Sequence, residues 1–294
     1  MIQLNEGQQE AADKIVKFLH GDIDIPYFTL SGSAGTGKTI SLRYAIEQAQ
    51  IAHAYTSGAT IAHAAKNVLS KALPSRIHTY TVAQWLGLRM QYALNGDIQF
   101  KPDVHGMRRI LNYKYAILDE ASMIDDALYD NIMELVSKNN IKLIVVGDPR
   151  QLPPVGQSHD SKFFDKIDAL LTEPMRFTGS IEKLAKVYRD AITAINNDYL
   201  VSMHILNEKI AREDSWDSLS STGYKFINDI YGMLDKAADD IKSNPRDINY
   251  SRILAFKNNS VSIINTHIRD RIYGKKRAQF EYNEILISSG GYTF

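Results

Sequence analysis

The chain has 294 residues, 44% hydrophobic and 23% charged, an ordinary globular composition with room for roughly two domains. Its 34 basic and 34 acidic residues cancel, so no global field draws it to a polyanion and any nucleic-acid contact must come from local patches. Cysteine is absent, which excludes disulfides and thiolate metal sites; no apolar run approaches the ~20 residues that span a bilayer, and the N-terminus lacks the apolar core of a signal peptide. A cytoplasmic protein without membrane contact is the expectation.

Asn5 is a plausible N-cap for a helix with Ala11, Ala12, Ile15, Val16 and Leu19 on one side, closed by Gly21 and Pro26. Tyr27 to Ser31 reads as a strand, Gly32–Gly37 as a glycine-rich turn, and Ile40 to Gln50 as a helix. A short strand is expected around Ala54–Thr56 and a helix from about Ile61 to Lys71. Leu88 to Met107, with its Asn95-Gly96 turn, reads as an excursion forming a hairpin. Tyr115 to Leu118 is a buried strand, Ala127 to Ser137 a helix and Lys142 to Val146 another strand. Alternating strands and helices predict an α/β fold with a parallel sheet covered on both faces. Beyond Leu170 the pattern predicts a helix over Ile181–Ile195, a mostly polar and helical stretch over 196–250, a strand over Arg252–Phe256, a helix over Val261–Tyr273, and a further strand opening at Ile285.

Three segments carry chemistry. Gly32-Ser33-Ala34-Gly35-Thr36-Gly37-Lys38-Thr39 matches the full G-x-x-x-x-G-K-[ST] pattern between a strand and a helix. Its glycines let backbone N–H groups and a helix N-terminus face a phosphate chain. Lys38 neutralises the β- and γ-oxygens, and the Thr39 hydroxyl is a ligand for Mg²⁺. Asp119-Glu120 ends a strand: Asp119 supplies the carboxylate that a Mg²⁺ site needs, and Glu120 is the candidate base for a hydrolytic water. Gly147 to Val155, GDPRQLPPV, follows another strand. Its two prolines stiffen a loop on which the Gln151 amide can sense a phosphate, and Asp148 is read as support for that loop.

In this order the motifs resemble those of superfamily 1 helicases, the RecD-like branch that includes the Dda-type phage helicases. Leu4-Asn5-Glu6-Gly7-Gln8 looks like the N-terminal motif whose glutamine contacts adenine, which implicates Gln8. Gly32–Thr39 is similar to motif I, Asp119-Glu120-Ala121-Ser122-Met123 to motif II and Gly147–Val155 to motif III, where Gln151 would meet the γ-phosphate. Leu171 to Arg176 resembles motif IV, whose arginine, here Arg176, reaches the γ-phosphate from the second motor domain. Arg252 to Asn259 is similar to a later segment of the phage members. The Thr60–Ala65 and Ile77-His78-Thr79 stretches resemble motifs Ia and Ib, which implicates Thr60, His63, His78 and Thr79 in single-strand contacts; the Ia stretch lacks the family's proline and is one residue longer. Phe100 falls where the phage members carry a strand-separating pin, and Arg89, Lys101, Arg108 and Arg109 make that excursion basic.

The resemblance implies a RecA-like P-loop domain over residues 1–170 with a small inserted subdomain near 88–107, and a partial second RecA-like domain over 171–294. It implies ATP and Mg²⁺ as cofactors, single-stranded and forked DNA as partners, and 5′-to-3′ unwinding by a monomer. Replication or recombination proteins such as a single-strand-binding protein are candidate partners, and the host cytoplasm is the location if the chain is phage-encoded. The family's motifs V and VI and its small SH3-like insertion have no counterpart here, so either a fragment or a naturally short protein is expected. The alternatives are a nucleotide-dependent DNA-binding module that does not unwind and a P-loop ATPase acting on protein.

Overall fold

The structure is a computed structural model that describes residues 3–92, 98–103, 105–106, 110–151, 153–175, 183–188, 215–217, 222–224, 229–245, 247, 250–255, 257–276, 278–279 and 281. The chain divides into two compact units, Met1–Met203 with Asp217–Thr222, and His204–Trp216 with Gly223–Phe294.

In the first unit, helix α1 (Glu6–His20) starts at a capping box: the Asn5 side chain accepts the Gln8 N–H at 2.8 Å, and the Gln8 side chain accepts the Asn5 N–H at 3.1 Å. It ends at Gly21 in a left-handed conformation, φ 95°. The elements that follow are β1 (Tyr27–Gly32), α2 (Lys38–Ala49), β2 (Thr56–Thr60), α3 (His63–Ala72), β3 (His78–Thr81), α4 (Val82–Trp85), the hairpin β4 (Leu88–Tyr92) and β5 (Ile98–Pro102), β6 (Tyr115–Asp119), α5 (Asp126–Lys138), β7 (Lys142–Gly147) and β8 (Ala169–Leu171). Six strands form one sheet in the order β3-β2-β6-β7-β1-β8, with every pairing parallel.

Side-chain alternation divides the core between the two faces of this sheet. Ile144 and Val146 of β7, Ile117 of β6, and Phe28 and Leu30 of β1 pack with Ile15, Phe18, Leu42, Ile46 and Leu69 from α1, α2 and α3. Leu143, Val145, Ala116 and Leu118 point the other way, against Trp85, Ile132, Val136 and Phe163. The buried Trp85 indole satisfies its N–H on Ser57 Oγ at 3.0 Å. β8 is held by reciprocal contacts: the Asp168 carboxylate accepts the Thr29 N–H at 2.9 Å, and the Asp168 N–H donates to the Thr29 carbonyl at 3.1 Å.

Several expectations are corrected. The strand expected at Ala54–Thr56 runs from Thr56 to Thr60, because His53–Tyr55 forms a 3₁₀ turn. The small residues of β2 have weak strand propensity, but a side chain on Gly58 would crowd Thr79, Leu69 and Leu73 at 3.1–3.2 Å, so close packing of α3 demands them. Residue 170, where the resemblance sets a domain boundary, lies within β8. The excursion is a hairpin, as expected, with Arg89 opposite Lys101 and Met90 opposite Phe100.

In the second unit, residues 251–255 carry no strand, and Leu254 is almost fully exposed, with no strand beside it among the described residues. The stretch expected to be helical contains strands β9 (Ser215–Asp217) and β10 (Thr222–Tyr224) before helix α6 (Ile230–Ser243). Helix α7 (Asn258–Tyr273) follows, and Asp235 of α6 pairs with His267 at 2.9 Å and Arg271 at 3.2 Å. Residues 183–188 are helical; the rest of the helix expected over 181–195, and the strand expected from Ile285, lie outside the described residues.

Lys142 ties the central strand to the first helix. Its ammonium donates to the Phe18 and Leu19 carbonyls at 2.9 and 3.0 Å, satisfying acceptors at the negative end of the α1 dipole. Lys142→Met keeps the aliphatic stem and removes the donor, and is expected to cost about 1–2 kcal/mol in urea denaturation; an unchanged midpoint would show that water serves those carbonyls equally well.

Candidate nucleotide site

The glycine-rich turn leaves β1 and enters α2 at the C-terminal edge of the sheet. Its glycines are required by geometry. Gly37 sits at φ 87°, and a Cβ there would run into Gln8 Nε2; a Cβ on Gly32 would meet Thr36 Oγ1 at 2.7 Å and the Leu171 carbonyl at 2.8 Å. The turn is held through its carbonyls. Gln8 Nε2 donates to Thr36 O at 3.0 Å, Thr36 Oγ1 to Ser33 O at 2.8 Å, and the Met175 N–H to Gly35 O at 2.7 Å. Lys38 Nζ folds back onto Gly32 O at 2.6 Å and Ser33 O at 3.2 Å. Ala34 is exposed, while Ser33 and Thr36 are buried; Thr39, in the first turn of α2, is half-buried.

The strand order then assembles the rest. β7 lies between β1 and β6, so the Gly147-Asp148 tip stands between the glycine turn and the Asp119-Glu120 tip. Burial, and after it the neighbouring Glu120 charge, push the Asp119 carboxyl up to about 6; the Glu120 N–H and Lys38 pull the other way. The Glu120 N–H donates to Asp119 Oδ1 at 3.0 Å, and Glu120 itself adopts a left-handed conformation, φ 56°, a strained backbone for a residue with a side chain. Asp148 is buried and its carboxylate accepts the Arg150 N–H at 3.1 Å, so it supports the loop as expected. Gln151 is exposed, and its N–H donates to Asp148 O at 3.0 Å.

The donor set fits Mg²⁺. A P-loop magnesium takes only one or two protein oxygens and fills the remainder with phosphate and water. A carboxylate left electrostatically undercompensated in a buried site, with a hydroxyl at the start of α2, is such a set; Asp119 and Thr39 would hold the ion, which would supply charge neutralisation of the phosphates. Among the described residues there is no cluster of three His, Cys, Asp or Glu suited to a metal held by protein alone.

Gln8 is almost fully buried at 3% exposure, and both ends of its amide are engaged, by Asn5 and by Thr36. Here it braces the turn; a small cleft beside it is lined by Asn5, Gly7, Thr36, Leu171, Thr172 and Glu173. Glu173 also accepts from the Asn5 side-chain amide at 2.8 Å, a contact that the sequence pattern does not announce. Arg176 lies outside the described residues.

The residues implicated in single-strand contacts are not gathered at one place. Thr60 is fully buried at the tip of β2, in register with Asp119. His63 is exposed at the first position of α3. His78 is exposed on the edge strand β3 but level with Ser57, three residues or about 10 Å below the β2 tip. Thr79 is half-buried with its methyl over Gly58. The Phe100 backbone is in β5; its side chain, Arg108 and Arg109 lie outside the described residues.

A phosphate-binding turn on β1, an acidic tip on β6 and one strand interposed between them define a P-loop nucleotide-binding domain of the RecA-like kind. The chain belongs to the AAA domain family, whose model matches residues 3–200, two thirds of its length. It is similar to superfamily 1 helicases of the Dda and Pif1 type. The ATP-dependent DNA helicase dda of Enterobacteria phage T4 is 28% identical over 97% of this chain and 60% of its own length. The ATP-dependent DNA helicase PIF1 of Emericella nidulans is 30% identical over 46% of this chain and 18% of its own. This chain therefore spans less than two thirds of either relative. A crystal structure of Pif1 from a Bacteroides species in complex with ADP-AlF4 is 20% identical, with a TM-score of 0.48, over 72% of this chain and 52% of that one.

The raised Asp119 value has a thermodynamic sign. The folded carboxyl titrates above its ordinary 3.8, so ionising it opposes folding; the penalty is absent below about pH 4 and complete above 6. In metal-free buffer, Asp119→Asn is expected to be more stable than the wild type by about 2–3 kcal/mol at pH 7.5, a gain that shrinks as the pH falls through 6 towards 4. Urea melts across that range check it, and a pH-independent difference would contradict the burial cause.

Proposed function

We propose that this chain is an ATP-hydrolysing motor that moves along single-stranded DNA and unwinds duplex. The observation that carries the reading is the sheet order β6-β7-β1, which sets an acidic tip, a rigid Asp148-anchored turn and a complete phosphate-binding loop side by side. Gly32 to Thr39 would cradle the phosphates of ATP, with Lys38 leaving the Gly32 and Ser33 carbonyls to neutralise them. Glu120 would accept the proton of the attacking water, and Thr39 and Asp119 would hold Mg²⁺. Gln151 would report the terminal phosphate, and Arg176 would reach it on closure. The names of the dda and PIF1 relatives support DNA as the partner and ATP as the fuel. Movement from 5′ to 3′ follows from the family resemblance, as do a cytoplasmic site of action, a monomeric state and a single-strand-binding protein as partner. Gln8, braced against Thr36, would contact adenine by exchanging one of its two internal hydrogen bonds for the base.

Two features support a single-strand surface. Helix α3 has no side-chain cap, so its first N–H groups are available to a phosphate backbone beside the exposed His63. The hairpin sets Arg89 and Lys101 directly opposite one another, a like-charge pairing that a bound polyanion relieves. His78 and Thr79 would extend this surface along the β3 edge, and Phe100 would wedge the junction from the hairpin.

ATP turnover with and without single-stranded DNA tests the reading. Wild type is expected to be stimulated by DNA and Lys38→Ala to lose at least about 100-fold in rate; equal rates would refute it. Strand displacement on forked DNA is the second arm. Phe100→Ala is expected to keep DNA-stimulated turnover and lose most displacement, whereas turnover without displacement in the wild type would make the chain a DNA-binding ATPase module.

A further inference from the structure

Beside the glycine turn lies a cleft whose floor is Ser31, Gly32 and Ser33, with one wall made by Asp148, Pro149 and Arg150 and the other by residues at the β8 exit. Among the described residues that line it, Arg150 is the only cation. The backbone fixes where this side chain starts. Ser31 is paired in register with Gly147, so the β1 and β7 tips are adjacent strand ends. The buried Asp148 carboxylate accepts the Arg150 N–H at 3.1 Å, and its carbonyl accepts from Gln151 at 3.0 Å, closing a tight turn around Pro149. The Arg150 side chain is exposed, and no ion pair holds it among the described residues. Gln151 is one residue further on and does not line the cleft.

The end of the phosphate chain that this cleft faces follows from the loop's direction. The N-terminal N–H groups of α2, at Lys38 and Thr39, belong to the inner phosphates. The opening residues Gly32 and Ser33, next to the strand tips, belong to the terminal one. We infer that Arg150 binds the terminal phosphate of a nucleoside triphosphate, supplying from the same domain a second positive charge beside Lys38. The inference rests on the nucleotide reading above and adds to it a residue that no motif match assigned. A guanidinium on a stiff turn offers a planar fork to a phosphate dianion, which a flexible lysine or a neutral amide does not. It also gives the site a means of telling triphosphate from diphosphate before any second domain closes.

The test is equilibrium titration of wild type, Arg150→Gln and Arg150→Lys with fluorescent derivatives of a non-hydrolysable ATP analogue and of ADP, without DNA. Arg150 is exposed, so the substitutions leave the fold intact, which circular dichroism verifies. Arg150→Gln is expected to weaken the triphosphate analogue by about 10-fold or more, as for a lost charge-assisted hydrogen bond, and to change ADP affinity by less than about 2-fold. Arg150→Lys is expected to fall between. An equal loss for both nucleotides, no loss for either, or a loss confined to single-stranded DNA binding would overturn the inference. Failure of the wild type to bind either nucleotide would overturn the nucleotide reading as well, which separates the two.

Discussion

A strand buried on both faces must pair every backbone N–H and C=O within its sheet, because no water reaches it. β7 is such a strand: from Leu143 to Val146 all four side chains are buried, two on each face. It therefore needs parallel neighbours on both sides, and the chain supplies β6 and β1. Both neighbours then end level with it. The edge that carries the glycine turn and the acidic tip is thus a by-product of satisfying a strand enclosed on both faces. Lys142 at the foot of β7 extends the constraint to α1, and α1 brings Gln8 to the glycine turn.

The electrostatics at that edge follow from the same burial. Asp119 ends a strand whose preceding residues are fully enclosed, so its carboxyl is drawn into a poorly solvated position that its own neighbour's N–H only partly compensates. The site is left with an unsatisfied demand for positive charge. Lys38 meets little of it, because its ammonium is committed to backbone carbonyls. A phosphate chain that drew Lys38 off those carbonyls, with a divalent cation at Asp119, would relieve both conditions together.

Much of this was legible in the sequence, and the failures have physical causes. β1, β6 and β7 announce themselves as short apolar runs ending in glycine or acid, and the glycine turn is unambiguous because its spacing is fixed by the phosphates it must wrap. β2 was displaced because Ser57, Gly58 and Ala59 are chosen to fit under α3, a tertiary requirement with no local signature. β8 is only three residues long and is held by Asp168 and Thr29, 139 positions apart. The burial of Thr60 at the β2 tip follows from parallel register with Asp119, which residue type alone does not reveal. Arg150 has no signature in the motif, whose resemblance points to Gln151; the turn set by Asp148 is what brings the Arg150 side chain to the border of the cleft.

The carbonyls of the glycine turn are occupied one by one: Gly32 and Ser33 by Lys38, Ser33 also by Thr36, Gly35 by Met175 and Thr36 by Gln8. Donors drawn from α1, from α2 and from the chain beyond β8 therefore shape a segment rich in glycine that would otherwise sample many conformations. The loss of freedom is incurred when the protein folds, not when a ligand arrives. An incoming anion would meet a backbone largely shaped beforehand, with the Lys38 ammonium left to swing from carbonyl to phosphate, so little of its affinity would be spent on ordering the loop.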